Sequence, residues 1–100
     1  MRQMQIATTV AVYSYDELDD VSRDLYQAAQ TAARKAYAPY SHFQVGAALL
    51  LNNGELISGS NQENASYPAG CCAERTALFY AGAHYPDNTI TRLAIIAFDP

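Results

Sequence analysis

Val45 to Leu51, read VGAALLL, is an unbroken run without a polar side chain. An apolar run of this length reads as a strand buried on both faces, so the fold must cover it from two sides. Asn52-Asn53-Gly54 follows, and Glu55 to Gly59 resumes an extended pattern. Asn-Gly between two such runs is a strong hairpin signal. Candidate covering layers stand on either side in sequence. Leu18, Val21, Leu25, Ala28 or Ala29, Ala32 and Ala36 recur three or four apart, the spacing of one helical face. Ser14 and Glu17 form a capping-box pattern, acids crowd the first turn, and Arg34 and Lys35 sit in the last. Pro39 disfavours helix at Ala38. These signals predict a helix over about 15–36. A second helix is predicted from Cys71 or Cys72 to about Ala83, stopped by Pro86, and a strand from Ile90 to Phe98. The order is helix, strand, strand, helix, strand. A helix between the second and third strands predicts a right-handed crossover and a parallel pair, and the whole reads as layered α/β.

Composition narrows the function classes. Half of the 100 residues are hydrophobic and 16% are charged, which argues against a disordered tail. The net charge of −4 comes with no basic stripe, so nucleic acid is not an expected partner. No segment approaches the ~18 apolar residues needed to cross a bilayer, so no membrane partner is expected either. Residues 1–13 read as an N-terminal arm, and residues 14–100 as part of one domain. Cys71 and Cys72 are adjacent, and neighbouring cysteines rarely pair with each other. A disulfide-stapled secreted scaffold is therefore excluded, and a soluble cytoplasmic protein with reduced thiols is expected.

The chemistry concentrates in Cys71-Cys72-Ala73-Glu74-Arg75-Thr76, at the start of the second predicted helix. Thiolate, the form that ligates metals and attacks electrophiles, is favoured at a helix N-terminus. Glu74 falls in the first turn, within reach of a metal-bound water without being a ligand. The same residues also suit two packed small thiols and a glutamate that complements the helix dipole. Phe43 equally suits a core, Asn61 and Asn64 ordinary turns, and Arg75 a helix surface. His42 reads as structural or exposed, and His84 as a cation at a helix end.

Three segments together resemble the small homotetrameric cytidine deaminases. Tyr40-Ser41-His42-Phe43-Gln44-Val45-Gly46-Ala47-Ala48-Leu49 resembles their strand entrance. Asn61-Gln62-Glu63-Asn64-Ala65-Ser66-Tyr67-Pro68 resembles their nucleoside loop, and Cys72-Ala73-Glu74-Arg75-Thr76-Ala77 their zinc and acid/base motif. The resemblance covers about residues 14–98. It implies a three-layer cytidine-deaminase-like α/β fold with a mixed sheet, and zinc-dependent hydrolytic deamination of cytidine and 2′-deoxycytidine. By this resemblance Cys72 is a zinc ligand and Glu74 the proton shuttle. Asn61 and Glu63 hold ribose hydroxyls, Phe43 packs on the pyrimidine, and Ala73 meets the base through its carbonyl. Arg75 hydrogen-bonds to the zinc thiolates, and Tyr67 makes a contact across subunits of a homotetramer.

The family completes its zinc site with a Pro-Cys-x-x-Cys motif, and this sequence has no cysteine after Cys72. The remaining ligands are expected beyond residue 100, with this chain the N-terminal portion of a longer deaminase. By itself it is then expected to be inactive and prone to associate along the apolar third strand. The competing reading is a non-catalytic nucleoside-binding or assembly module. The nucleoside loop argues against a blasticidin-type deaminase, and the absence of C-x-x-C argues against a redox role for the cysteine pair.

Overall fold

The structure, a computed structural model, describes residues 2–66 and 70–98. A short 3-10 turn, Tyr15–Glu17, precedes helix α1, Asp20–Ala33. Strands β1, Gln44–Leu51, and β2, Leu56–Ser60, form the predicted hairpin. Gly54 at φ 87 supplies the left-handed residue that the turn requires. Helix α2, Ala73–His84, and strand β3, Ile90–Phe98, complete the order read from the sequence.

The predicted first helix is two elements. Ser14 and Glu17 do make their capping box, but it closes only the 3-10 turn. Leu18 is extended, with φ −75 and ψ 148, and Asp19 then caps α1 by accepting from the Ser22 N–H at 2.7 Å. Two cap signals five residues apart compete for one helix start, and the chain uses both. Arg34 and Lys35 fall just beyond the helix rather than inside its last turn. Arg92, at the start of β3, donates to both oxygens of Asp19 at 3.1 Å and ties the beginning of α1 to the sheet. The Asp19 carboxyl is held down to about 2, first by the Ser22 N–H and hydroxyl and then by Arg92.

The sheet order is β2-β1-β3, with β1 antiparallel to both neighbours. Strands β2 and β3 therefore run in the same direction, as a crossover through α2 requires, but they are not hydrogen-bonded to each other. The expected parallel pair is split by β1, which takes the centre because it alone can be apolar on both faces. Leu25 and Ala29 of α1 pack on one face with Ala48, joined by Leu50, Ala94 and Ile96. Ala73, Ala77 and Ala81 of α2 pack on the other with Ala47, Leu49, Leu51 and Ile57.

Helix α2 touches the sheet through alanines, and α1 through Ala29 beside Leu25, so the layers come very close. The helices touch the sheet at two glycines. A Cβ on Gly46 would collide with the backbone of Ala29 and Ala33 in α1. A Cβ on Gly59 would lie 2.7 Å from the Ala77 nitrogen and 2.9 Å from the Ala73 carbonyl oxygen in α2. These obstacles are backbone and cannot rotate away. On the α2 side of β3, Leu93 and Ile95 pair with Leu49 and Ala47 but remain half-exposed, because α2 covers only β1 and β2.

Two alanine substitutions separate this contact from ordinary helix propensity. Gly46→Ala should lose about 1–3 kcal/mol in denaturant unfolding, the range for overpacking. Gly82→Ala in α2, where a Cβ meets nothing within 4 Å, should gain up to about 1 kcal/mol. Equal tolerance of the two would mean that α1 does not rest on β1 at Gly46.

Candidate active site

The thiol turn is built from the first turn of α2 outward. Cys72 is the N-cap of that helix, with φ −71 and ψ 156, and its side chain makes no capping hydrogen bond. The thiol is exposed, whereas Cys71 is half-buried. Thr76 fastens this turn to the sheet: its hydroxyl lies 3.0 Å from the Cys72 carbonyl oxygen and 3.2 Å from that of Ser60. Ala73 is buried against the sheet, Glu74 is half-buried and Arg75 exposed.

Gln62 brings the separate motifs to this turn through its backbone. It exchanges N–H···O bonds with Cys71 in both directions, each 2.8 Å. On its other side lies Tyr37, whose N–H donates to the Asn61 carbonyl at 3.0 Å and whose carbonyl accepts from the Glu63 N–H at 2.8 Å. The result is a small extension of strand-like pairing, Tyr37–Gln62–Cys71. Sequence reasoning did not single out Tyr37 or Gln62, and it had no signal to use, because both act through main-chain atoms.

The Asn61 side chain continues the same pairing. Its Oδ1 accepts from the Val45 N–H at 2.9 Å, and its Nδ2 donates to the Phe43 carbonyl at 2.9 Å. The amide thus fixes the strand entrance, leaving one lone pair and one N–H for another partner. Glu63 holds the turn before β1. Its Oε1 accepts from the N–H groups of Tyr40 and Ser41 at 3.0 and 3.1 Å, and its Oε2 from the Ser41 hydroxyl at 2.5 Å. His42 in this turn is exposed and left-handed, with φ 58. Oε1 thereby fills both of its lone-pair sites and Oε2 keeps one, so the carboxylate is oriented with room for one further donor.

These segments enclose a cleft of about 830 Å³. Tyr40 and Ser41 line it from the strand entrance, Asn61 to Ala65 from the loop, and Gly70, Cys71, Cys72 and Arg75 from the thiol turn. Of the residues singled out in the sequence, Asn61, Glu63, Asn64, Cys71, Cys72 and Arg75 therefore share one cleft. Phe43, Ala73 and Glu74 are not among its lining, and Tyr67 falls outside the described residues. A mixed cleft of this size, apolar with a few convergent polar groups, suits a small polar organic molecule.

The family model described as "Cytidine and deoxycytidylate deaminase zinc-binding region" matches residues 19–98. The chain belongs to the cytidine deaminase family. A cytidine deaminase of Halalkalibacterium halodurans is 60% identical over 57 residues, which are 57% of this chain and 43% of that protein. A crystal structure of cytidine deaminase from Burkholderia pseudomallei superposes with a TM-score of 0.71 at 46% identity, covering 82% of this chain and 64% of that one. The cytidine deaminase of Mycobacterium tuberculosis gives 0.73 at 35% identity, covering 79% and 63%. The matched region thus spans less than two thirds of the length of each of these relatives. The three-layer α/β arrangement read from the sequence is the family's fold.

The family region is a zinc-binding one. Among the described residues, no three His, Cys, Asp or Glu side chains gather where they could hold a metal ion. Cys72 offers an exposed thiol in the cleft, but a catalytic zinc keeps three protein ligands. The donor set present in these residues is therefore incomplete for that metal.

The Glu63 carboxyl lies below its ordinary value of 4.5, first because the Ser41 hydroxyl and N–H donate to it, then through the Tyr40 N–H and the charge of His42. Its depressed folded-state value means that the turn is stabilised above pH 4.5 and loses that support as pH falls through the folded value. The Tyr40 and Ser41 amide resonances should therefore move together on acidification, with a midpoint below 4.5, and Glu63→Gln should abolish the transition. A midpoint at or above 4.5 would contradict the hydrogen bonding described.

Proposed function

We propose that the complete protein deaminates cytidine and 2′-deoxycytidine by hydrolysis, and that residues 61–64 and 72–75 build the part of the active site described above. The observation that carries this reading is the meeting of Asn61, Glu63, Cys72 and Arg75 in one cleft within a cytidine deaminase domain. Three relatives whose names or titles call them cytidine deaminases support the substrate class.

In this reading Asn61 and Glu63 recognise the sugar. A carboxylate accepts from a ribose hydroxyl, and an amide both donates and accepts. Their existing bonds to Val45, Phe43, Tyr40 and Ser41 hold them in place before the substrate arrives, which lowers the ordering cost of binding. Phe43, half-exposed at the strand entrance, packs on the pyrimidine, while Ala73, 1% exposed with its carbonyl oxygen turned to Gly59, holds the turn against β2 rather than reaching the base. Glu74 carries a proton to the ring nitrogen and then to the departing ammonia, a role that zinc deaminases give to a glutamate that is not a ligand. Cys72 would hold zinc together with ligands that the described residues do not supply, and the bound metal would provide an activated water. Arg75, which lines the same cleft, would donate to the metal-bound thiolates and balance their charge. Tyr67 contributes from its loop to a neighbouring subunit of a homotetramer.

Glu74→Gln in the complete protein should keep its zinc and lose about 10²–10⁴-fold or more in kcat, the range for general acid–base catalysis. Retained turnover with full zinc would overturn the assignment of Glu74. Free cytosine should be a far poorer substrate than cytidine, and Glu63→Ala should narrow the difference by weakening cytidine alone. Equal use of cytosine and cytidine by the unaltered protein would overturn the role given to Asn61 and Glu63. Nucleoside binding without turnover in a zinc-loaded complete protein would make it a binding module instead.

A further inference from the structure

The two side chains given to the sugar, Asn61 and Glu63, are joined by a continuous run of hydrogen bonds that passes through Ser41. The Asn61 Nδ2 donates to the Phe43 carbonyl at 2.9 Å. The Phe43 N–H donates to the Ser41 Oγ at 3.0 Å. The Ser41 hydroxyl in turn donates to the Glu63 Oε2 at 2.5 Å. The direction of these last two bonds is fixed. A peptide N–H can only donate, so it takes a lone pair of Oγ, and an ionised carboxylate can only accept, so it takes the hydroxyl proton. Bonds aligned in this way polarise and strengthen one another.

The turn itself does not require the bond to Glu63. A serine that accepts from the N–H two residues on already closes its local turn. Donation to a carboxylate on another loop, 22 residues away, is additional. Nor does packing hold Ser41 there, since it is exposed at the cleft. What the bond changes is the freedom of Glu63. The N–H groups of Tyr40 and Ser41 both donate to Oε1, so they anchor one oxygen only. The last torsion of a glutamate is broad, and a carboxylate held through one oxygen can still swing the other. The Ser41 hydroxyl removes that motion. It fills one lone-pair site of Oε2 and leaves the remaining site in a single orientation. The same hydroxyl is the largest cause of the depressed Glu63 carboxyl.

We propose that Ser41 is a positioning residue for sugar recognition, whose hydroxyl holds the Glu63 carboxylate in the orientation that receives one hydroxyl of the nucleoside. The inference rests on the reading of Glu63 as a sugar contact. Ser41 acts through Glu63, which has room for one further donor and is set before the substrate arrives. Without the Ser41 hydroxyl, Oε2 offers two open sites and no fixed direction. Asn61 keeps its bonds to Val45 and Phe43, so the loss falls on Glu63. A contact to the sugar is distant from the bond that breaks in deamination. It is therefore made alike in the bound substrate and the transition state, and its loss raises KM while sparing kcat.

Steady-state kinetics and amide titration of the complete, zinc-loaded protein test it. Ser41→Ala should raise KM for cytidine about tenfold and leave kcat within about twofold, the pattern of lost uniform binding. Ser41→Thr, which keeps the hydroxyl, should restore KM. Free cytosine has no sugar, so its kcat/KM should not respond to either change. In a Glu63→Ala background, Ser41→Ala should add less than about twofold, because the residue it acts through is gone. Independently of turnover, the acid transition of the Tyr40 amide should move up towards 4.5 in Ser41→Ala and stay in place in Ser41→Thr. An unchanged KM in Ser41→Ala would overturn the proposal. A KM increase of the same size with and without the Glu63 side chain would also overturn it, while leaving the sugar role of Glu63 intact. If Glu63→Ala itself leaves KM for cytidine unchanged, that role falls, and the proposal with it.

Discussion

The first turn of α2 can lie against β2 only because residue 59 has no side chain. A Cβ there would stand between β2 and the backbone of Ala73 and Ala77. The three alanines that α2 turns to the sheet, Ala73, Ala77 and Ala81, are the smallest side chains compatible with a helix, and they complete the close approach. The position of everything at the N-terminus of α2 follows from this contact, including Cys72 at the cap and Glu74 in the first turn. Thr76 adds direction by reaching both Ser60 and Cys72. The same principle operates on the opposite face, where Gly46 admits α1. The central strand is thus held between two helices at distances set by missing side chains rather than by large interlocking ones.

The cleft is assembled mainly by backbone. Gln62 pairs with Cys71 on one side, and its neighbours Asn61 and Glu63 bond Tyr37 on the other. That pairing orders the loop while leaving its polar side chains at the surface of the cleft. Asn61 and Glu63 then use part of their hydrogen-bonding capacity on the strand entrance. Such groups are oriented and only partly satisfied, which is the condition in which a polar ligand gains most from them. The depressed Glu63 carboxyl expresses the same arrangement, with donors converging on a site that holds negative charge.

The fold was legible where one local signal acted without a competitor. The apolar run at Val45 to Leu51 announced a strand covered on both faces, Asn53-Gly54 announced its turn, and Ile90 to Phe98 marked β3 at its observed bounds. The first helix was misread because Ser14 and Asp19 both offer caps, and propensity does not reveal that Leu18 between them is extended. The expected parallel pairing of β2 with β3 failed for a different reason. Strand direction follows from the crossover, but adjacency depends on which strand can be buried twice. At the site, resemblance picked out Asn61, Glu63, Cys72 and Arg75, which do share a cleft. Tyr37 and Gln62 were invisible because their contribution is independent of side-chain type. The Asp19–Arg92 ion pair was equally hidden, since a contact so distant in sequence leaves no local trace.

Both thiols of the turn line the cleft, and in the proposed function the metal falls to Cys72 rather than to Cys71. Cys72 is exposed at the helix cap, while Cys71 is half-buried and engaged through its backbone with Gln62. Zinc stoichiometry of the complete protein with Cys71→Ser and with Cys72→Ser tests this directly. The account predicts that the Cys71 variant retains zinc at the level of the unaltered protein and that the Cys72 variant loses it. Loss of zinc from the Cys71 variant with retention in the Cys72 variant would contradict it.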